Sequence, residues 1–345
     1  MSKSPEFEAL NELSARLGAN PAWVQGAGGN TSLKEDETLW IKASGLWLAQ
    51  AQQQEIMVPV ALDALLDALE RADPLAEQAQ HFVRGALNPL GLRPSIETTV
   101  HAVMPQQVVV HVHCVETIAV AVAAAAESLV HVRLAGFRHA FIPYVRPGLP
   151  LARAIAASLG EGTEVLVLGN HGLVVAAESV AGAELLLEQV TAALATPPRL
   201  APPADVAALE RLALDSSYQV PGDPALHALG TDPASCRVAA AGSLYPDHVI
   251  FLGNAIPIAR PGETARDLAQ AASPLLVFPG QGVLVARHAS AGVLAMARCL
   301  ADVASRIPPA TALRVLTDSE QAELLGWDAE KYRKSLNAGN QEESP

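Results

Sequence analysis

Hydrophobic and polar positions along residues 1–195 predict helices that alternate with short strands. Helical spacing of apolar residues, together with capping residues, predicts five helices, over 5–18, 60–85, a segment starting at Pro94 with Ser95 as its N-cap, 117–127 and 178–195. Short apolar runs that end in turn residues predict three strands, over 38–43, 107–113 and 163–169. The continuous valines of 107–113 are typical of a strand that is covered on both faces.

The pattern changes at residues 196–203, where four prolines in eight residues indicate a linker. Beyond it, helices are predicted over 204–214, 289–307 and 317–335. Strands are predicted over 248–253 and over 275–286, the latter broken at Pro279-Gly280. Strands interleaved with helices favour an α/β fold in both halves. We therefore predict two domains, 1–198 and 199–345.

Composition narrows the possible classes of protein. The 345 residues are 50% hydrophobic and 17% charged, which suits a packed globular chain. A net charge of −13 without a long basic run argues against nucleic-acid binding. The three distant cysteines form no disulfide framework, and the most apolar window, 118–126, is too short to span a bilayer. We expect a soluble cytoplasmic protein with no membrane partner.

Three histidines form the strongest chemical signal in the sequence. His111 and His113 lie two apart in a predicted strand, so both imidazoles face the same side. Alone, the pair could be two histidines packed in a sheet. His171 follows a second predicted strand and precedes a glycine, which favours a site rather than packing. Three neutral imidazoles around a divalent ion leave one coordination position open, as in catalytic zinc sites.

An acidic residue and a glycine-rich loop allow two interpretations each. Glu97 could stabilise the start of a helix through its dipole, or it could transfer protons. His101, four residues later, lies on the same helical face. The segment GAGGNTS, which contains Gly29 and Asn30, could be a tight turn or a cradle whose backbone N–H groups bind an anion.

The order of five motifs gives these pieces a common context. GAGGNTS, KASG, PSIETTVH, VVVHVHCVET and LGNHGLVV follow one another within residues 5–195. In this order they resemble the class II aldolase/adducin family, which includes fuculose-phosphate and rhamnulose-phosphate aldolases and ribulose-phosphate 4-epimerase. The resemblance implies a three-layer α/β/α domain around a central sheet, followed here by a smaller α/β domain. That tail resembles the one found in longer family members.

The resemblance also implies roles for single residues. His111, His113 and His171 match the family's metal ligands, for zinc or another divalent ion such as manganese or cobalt. Glu97 matches its acid/base residue, and Tyr144 aligns with a tyrosine that donates a proton. The positions that match the substrate- and phosphate-binding set are Gly29, Asn30, Ser44, Gly45 and Ser95. Ile96 stands where phosphate-binding aldolases often carry a second serine.

The predicted function is a metal-dependent aldolase that cleaves a small sugar phosphate or hydroxy-ketone through a metal-stabilised enediolate. The same intermediate would also serve an epimerase or a decarboxylase. A non-catalytic, adducin-like interaction protein is a further alternative. The expected partners are a carbohydrate-like small molecule and other copies of the chain, because family enzymes are commonly tetramers. The tail after the linker is expected to be an accessory α/β domain.

Overall fold

The computed structural model describes residues 3–327, which belong to two compact units. The first unit comprises Met1–Thr117 and Glu127–Leu194. The second comprises Ile118–Ala126 and Ala195–Pro345. The three cysteines carry free thiols. Within residues 3–327, no helix combines the length and the apolar composition needed to cross a membrane.

A seven-stranded sheet forms the centre of the first unit. Its strands are β1 (Asn30–Glu35), β2 (Thr38–Lys42), β3 (Met57–Ala61), β4 (Val108–Val112), β5 (His139–Ile142), β6 (Val165–Leu168) and β7 (Gly172–Ala177). The spatial order is β3-β2-β1-β4-β7-β6-β5. All neighbours pair antiparallel except β5 and β6, which are parallel. Strand β4 is therefore central, and all its residues are buried.

Helices cover both faces of this sheet. They are α1 (Pro5–Ala19), α2 (Leu62–Glu70), α3 (Thr98–Val103), α6 (Leu149–Ser158) and α7 (Val180–Leu194). Between α3 and α6 along the chain, α4 (Val115–Ala121) enters the second unit at Ile118, and α5 (Ala126–Arg133) returns to the first unit at Glu127. Leu39 and Ile41 of β2 share a core cluster with residues of α2 and α3. Trp40, between them, meets Phe7 of α1 edge to face. Alternate strand residues point to opposite faces, so α1 lies opposite α2 and α3. This arrangement confirms the predicted three-layer α/β/α fold.

Three helix predictions were wrong in extent. The helix predicted over 117–127 is interrupted, because α4 ends at Ala121 and α5 begins only at Ala126. The helix predicted over 60–85 is limited to α2, because Ala72 has a left-handed φ of 56° and Pro74 cannot continue a helix. The helix predicted from Pro94 begins only at Thr98, and Glu97 occupies its N-cap position. Ser95 lies outside this helix: its Oγ accepts from Glu97 N at 3.2 Å, and its N–H donates to Lys42 O at 3.0 Å.

The second unit is also α/β, as predicted. A three-stranded antiparallel sheet has the order β8-β10-β9. The strands are β8 (Tyr218–Gln219), β9 (Leu275–Phe278) and β10 (Gly282–Ala286); the helices are α8 (Val206–Leu212), α9 (Ala228–Thr231), α10 (Pro233–Ala240), α11 (Pro246–Leu252), α12 (Ala265–Leu268), α13 (Ala291–Arg306) and α14 (Asp318–Gly326). The backbone of Ala124 donates to Ala312 O at 2.8 Å, and Arg314 N donates to Val122 O at 2.8 Å.

The strand predicted over 248–253 is wrong, because these residues belong to helix α11. Pro246 occupies the first turn, where its fixed φ and missing N–H are tolerated. Gly253, with a φ of 89°, ends the helix. The apolar run is buried on nearly all sides, and such a run has no periodicity that separates a strand from a short buried helix. Of the helix predicted over 317–335, α14 ends at Gly326, and residues 328–335 lie outside the described residues.

The glycine near the end of α1 generates a stability prediction. Replacing a helical glycine by alanine normally stabilises a helix by up to about 1 kcal/mol. At Gly18, however, the added Cβ would lie 2.1 Å from Ala49 N, which is backbone that cannot rotate away. We expect Gly18→Ala to lower the melting temperature. Gly326→Ala is the control, because that helical glycine has open space around it. Equal melting temperatures for the two variants would contradict the prediction.

Candidate metal centre

Strand register brings the three predicted histidines to one point. His111 of β4 pairs with Val174 of β7, and Val112 pairs with Leu173. The chain before β7 therefore runs beside the end of β4, where His113 follows Val112. His171 lies in the short turn between β6 and β7, where its N–H donates to Leu168 O at 3.1 Å. The turn contains Asn170 at a left-handed φ of 54°, a conformation that asparagine tolerates well.

The three imidazoles and one carboxylate form a compact cluster. Their ring centroids are 4.9 to 5.1 Å apart. Glu97, at the start of α3, places Oε2 3.4 Å from His111 Nε2 and Oε1 3.5 Å from His171 Nε2. One ligand atom from each of the four residues lies within 4.8 Å of all the others. All four residues are buried.

This donor set fits a divalent metal ion. Ligand atoms that surround a zinc ion tetrahedrally at 2.0–2.1 Å lie about 3.4 Å from one another. The Nε2 atoms of His111 and His113 are 3.1 Å apart, close to that spacing. Imidazole nitrogen and carboxylate oxygen are also the donors that zinc and neighbouring transition metals accept. The cluster therefore has the donors and the spacing to hold a divalent metal ion.

Neighbouring backbone groups fix the orientation of these side chains. The Nδ1–H of His111 donates to Leu173 O at 3.0 Å, which directs Nε2 toward the cluster. Gly172 permits the close approach of the two chains, because a Cβ there would meet Val112 O at 2.5 Å. The glycine beside the predicted ligand His171 therefore has a packing reason that the sequence alone did not give.

The charge state of Glu97 follows from its neighbours. Burial opposes ionisation, but the charges of His111, His171 and His113 and a hydrogen bond from Asn30 outweigh it. Together they lower the pKa of Glu97 to about 2. The carboxylate is thus ionised near neutral pH, with both oxygens directed at polar partners. An ionised carboxylate can accept a proton or add its charge to a metal site.

A polar network extends from Glu97 away from the histidine cluster. Asn30 Nδ2 donates to Glu97 Oε2 at 2.9 Å and to Ser95 Oγ at 3.2 Å. The Oδ1 atom of Asn30 accepts from His101 Nε2, and His101 Nδ1 lies 2.7 Å from Ser32 Oγ. Burial, together with the charge of His111, lowers the pKa of His101 to about 3, so this imidazole is neutral.

Sequence reasoning missed His101 and Ser32 as parts of this site. The available signals were indirect: His101 lies four residues after Glu97, one helical turn away. Ser32 lies two after Asn30 on β1, on the same face of that strand. Antiparallel pairing of Asn30 with His111 then brings this face beside the histidines. Only the fold shows that the two signals meet.

The remaining candidate binding residues lie where two short segments meet. Ser44 N donates to Arg93 O at 2.9 Å, two residues before Ser95. Gly45 has a φ of 82°, which turns the chain immediately after Ser44. Gly29, with a φ of 63°, precedes Asn30, and a Cβ there would lie 3.0 Å from His111 O. The segment after β2 therefore lies beside the segment that contains Ser95, and Gly29 lies against β4.

Lys42 and Tyr144 complete the surroundings in different ways. The buried ammonium of Lys42 donates to Ala27 O at 2.7 Å and to Gly29 O at 2.9 Å, which fixes the glycine-rich loop. Sequence reasoning gave Lys42 no role.

Tyr144 lies in the loop after β5, and its backbone nitrogen would be 3.1 Å from a Cβ at Gly169, two residues before His171. Its side chain is half-buried.

Comparison with known proteins places this site in a family context. Residues 8–196 match the family model described as the class II aldolase and adducin N-terminal domain. A curated relative, the uncharacterized oxidoreductase YuxG of Bacillus subtilis (strain 168), is 30% identical over 179 residues. The match covers 48% of this chain and 26% of that protein, so the chain spans about a quarter of the relative's length.

Solved structures show a similar arrangement over just more than half of the chain. The N-terminal class II aldolase domain of a conserved Thermoplasma acidophilum protein is 22% identical, with a TM-score of 0.49, and the match covers 56% of this chain and 94% of that one. An L-fuculose 1-phosphate aldolase is 18% identical, with a TM-score of 0.40, over 56% of this chain and 85% of that one. Neither similarity assigns a substrate to this chain.

The geometry of the cluster predicts the behaviour of its metal content. We expect about one divalent ion per chain in the purified protein. His113→Ala removes one of three converging imidazoles and should lower metal occupancy to a small fraction of the wild-type level. His81→Ala, an exposed histidine that contacts Gln78, should retain the full metal content. Elemental analysis of both variants checks this, and full occupancy in His113→Ala would refute the ligand assignment.

Proposed function

Because this chain belongs to the class II aldolase and adducin N-terminal domain family, we propose that it is a divalent-metal-dependent aldolase. Its substrate would be a small sugar phosphate or an unphosphorylated hydroxy-ketone. The convergence of the Glu97, His111, His113 and His171 ligand atoms within 4.8 Å carries this proposal. Burying four ionisable groups together is unfavourable unless an ion or a reaction uses them, which argues against a purely structural interaction protein.

When bound, a divalent ion would supply one requirement of aldol cleavage, because a cation beside the substrate's carbonyl oxygen would stabilise the negative charge released by the breaking carbon–carbon bond. His111, His113 and His171 would hold it, with Leu173 O keeping His111 in its metal-binding tautomer. The burial of all three excludes bulk water from this side of the site.

Glu97 would carry the proton at the carbon that loses its bond. In the synthesis direction its carboxylate removes a proton from the carbon beside the carbonyl, and in cleavage it returns that proton. The depressed pKa of Glu97 keeps the carboxylate in the accepting form, and Asn30 holds Oε2 while Oε1 faces His171. Tyr144 is the proposed partner for the aldehyde oxygen: its phenol would donate a proton to that oxygen in synthesis, and its phenolate would take the hydroxyl proton in cleavage.

The binding set is proposed to hold the polar end of the substrate. Ser44, Gly45 and Ser95 lie on the two segments that the hydrogen bond from Ser44 N to Arg93 O joins. Serine hydroxyls and the backbone N–H groups of the Gly29 loop are suitable donors to a phosphate or to sugar hydroxyls. Ile96 contributes no hydroxyl, so either a phosphorylated or an unphosphorylated substrate is compatible with this set.

We further propose that the chain divides functionally near Pro198. Residues 1–198 would form the catalytic domain, and residues 199–345 would form an accessory α/β domain. We expect zinc, manganese or cobalt as the metal and the cytoplasm as the site of action. Closed symmetric assemblies are the general rule for oligomeric enzymes, so a homo-tetramer is the proposed state.

The role of Glu97 is tested by an isosteric change. Glu97→Gln keeps the shape and the hydrogen bond from Asn30 but cannot cycle a proton, so kcat should fall about 100- to 10,000-fold while the metal stays bound. Glu161→Gln, at an exposed position, is the matched control. The assay is aldehyde release from a panel of ketose phosphates and hydroxy-ketones. Wild-type turnover by Glu97→Gln would rule out the assigned role.

The assembly is tested independently of activity. Light scattering at micromolar protein concentration should give a mass of about four chains, because a closed tetramer persists on dilution. A series of concentrations distinguishes a stable tetramer from weak association. A mass equal to one chain across the series would refute the proposed oligomer.

A further inference from the structure

The orientation of the Asn30 amide is determined by the carboxylate beside it. The NH2 of Asn30 faces Glu97 Oε2, with Nδ2 donating to this oxygen at 2.9 Å. The second proton of this NH2 points to Ser95 Oγ at 3.2 Å. The amide oxygen of Asn30 must then face the opposite way, toward His101.

The tautomer of His101 follows from the amide. Because Asn30 Oδ1 can only accept, the facing Nε2 of His101 must carry the proton. A neutral imidazole has one N–H, so Nδ1 is an acceptor. Among the described residues, the hydrogen-bond partner of Nδ1 is the Ser32 hydroxyl at 2.7 Å, which then acts as the donor. Each group in the series Ser32, His101, Asn30 and Glu97 thus donates to the next.

We propose that His101 is a positioning residue whose Nε2–H holds the Asn30 amide in the orientation that donates to Glu97. The Ser32 hydroxyl supports this tautomer of His101 from the other side of the ring, because it can donate to the unprotonated Nδ1. The consequence for catalysis rests on the proposed function of Glu97. The arrangement itself concerns only the polar side chains of this chain and is independent of any substrate.

The alternative orientation of the amide shows what His101 prevents. With Asn30 rotated by 180°, its oxygen would face Glu97 Oε2, and two acceptors would oppose each other in a buried site. An unpaired buried acceptor or donor costs about 1–3 kcal/mol. A protonated Nε2 on His101 excludes this rotamer, because the rotated NH2 would then oppose an N–H. The carboxylate of Glu97 therefore keeps one oxygen anchored and the other directed at His171.

This role makes Asn30 more than a substrate-binding residue. Both protons of its amide are already engaged by Ser95 and Glu97. A residue that served only to bind the substrate would affect mainly KM when altered. A residue that orients Glu97 should affect mainly kcat. The same distinction applies to His101, which lies one step further from the carboxylate.

Neutron diffraction from metal-free crystals tests the arrangement directly. We expect deuterium on Nε2 of His101 and none on Nδ1, with both deuterons of the Asn30 amide directed at Glu97 and Ser95. Deuterium on His101 Nδ1, or an Asn30 oxygen facing Glu97, would overturn the proposal. This measurement requires neither metal nor turnover, so failure to find a substrate would count against the proposed function alone.

Matched variants test the effect on the reaction. His101→Leu removes the donor and should lower kcat about 10- to 100-fold with KM unchanged, as is typical of residues that orient a ligand or base. His101→Gln can still donate to Asn30 and should recover part of that loss. Val100→Ala, a fully buried neighbour on α3, lowers stability without touching the network and should leave kcat unchanged.

The kinetic outcomes are decisive in both directions. Equal kcat losses in His101→Leu and Val100→Ala would show that His101 merely packs in α3, and the proposal would fail. If His101→Leu does not fold, His101→Gln and Ser32→Ala carry the test, because only the latter removes the hydrogen bond to Nδ1 that stabilises the Nε2–H tautomer. A crystal structure of either variant should show Glu97 displaced in Ser32→Ala and retained in His101→Gln. The reverse pattern would overturn the proposal.

Discussion

The hydrogen-bonded register of β4 between β1 and β7 is the constraint on which the candidate site depends. One neighbour places Asn30 opposite His111, and the other places Leu173 opposite Val112. A shift by one residue would turn every side chain of β4 to the other face of the sheet. The histidines would then point away from α3 and Glu97. Because β4 is central and buried on both faces, the shifted imidazoles would be buried away from their polar partners, which is costly, so register and site are specified together.

The buried polar groups of this site depend on hydrogen-bonding and charged partners around them. Glu97, His101 and Asn30 are buried with about 5% or less of their surface exposed. Desolvation alone would neutralise such a carboxylate, whereas here the neighbouring imidazoles and the Asn30 amide keep it ionised. Each hydrogen bond fixes the donor and acceptor roles of the next. The network is therefore more directional than its composition of common residues suggests.

Two glycines and one lysine give the site its shape without taking part in its chemistry. A Cβ on Gly172 would lie only 2.5 Å from Val112 O, so glycine is what allows the two chains to approach this closely. Gly29 adopts a left-handed φ next to the β4 backbone. The Lys42 ammonium donates hydrogen bonds to two carbonyl oxygens of the glycine-rich loop. These residues lie in the same short motifs as the chemical ones, so a motif here contains both a reactive group and the backbone that presents it.

The sequence by itself determined the features that depend on local order. Period-two spacing put His111 and His113 on one face, and a turn after an apolar run put His171 at a strand end. Alternation of strands and helices was enough to predict the α/β layers. The linear order of five motifs identified the family. Each motif supplies residues to the same candidate site, so the chain has to return to that site in a fixed order.

Only the tertiary structure decided which residues meet. His101 and Ser32 are 69 positions apart and join through pairings that no local pattern shows. The apolar run at 248–253 was identified as a helix only by the structure, because burial on nearly all sides leaves no periodicity that separates helix from strand. Residues 118–126 group with the second unit through backbone pairing with 312–314, a partner almost two hundred residues away. Local propensity is additive along the chain, whereas these contacts depend on packing across it.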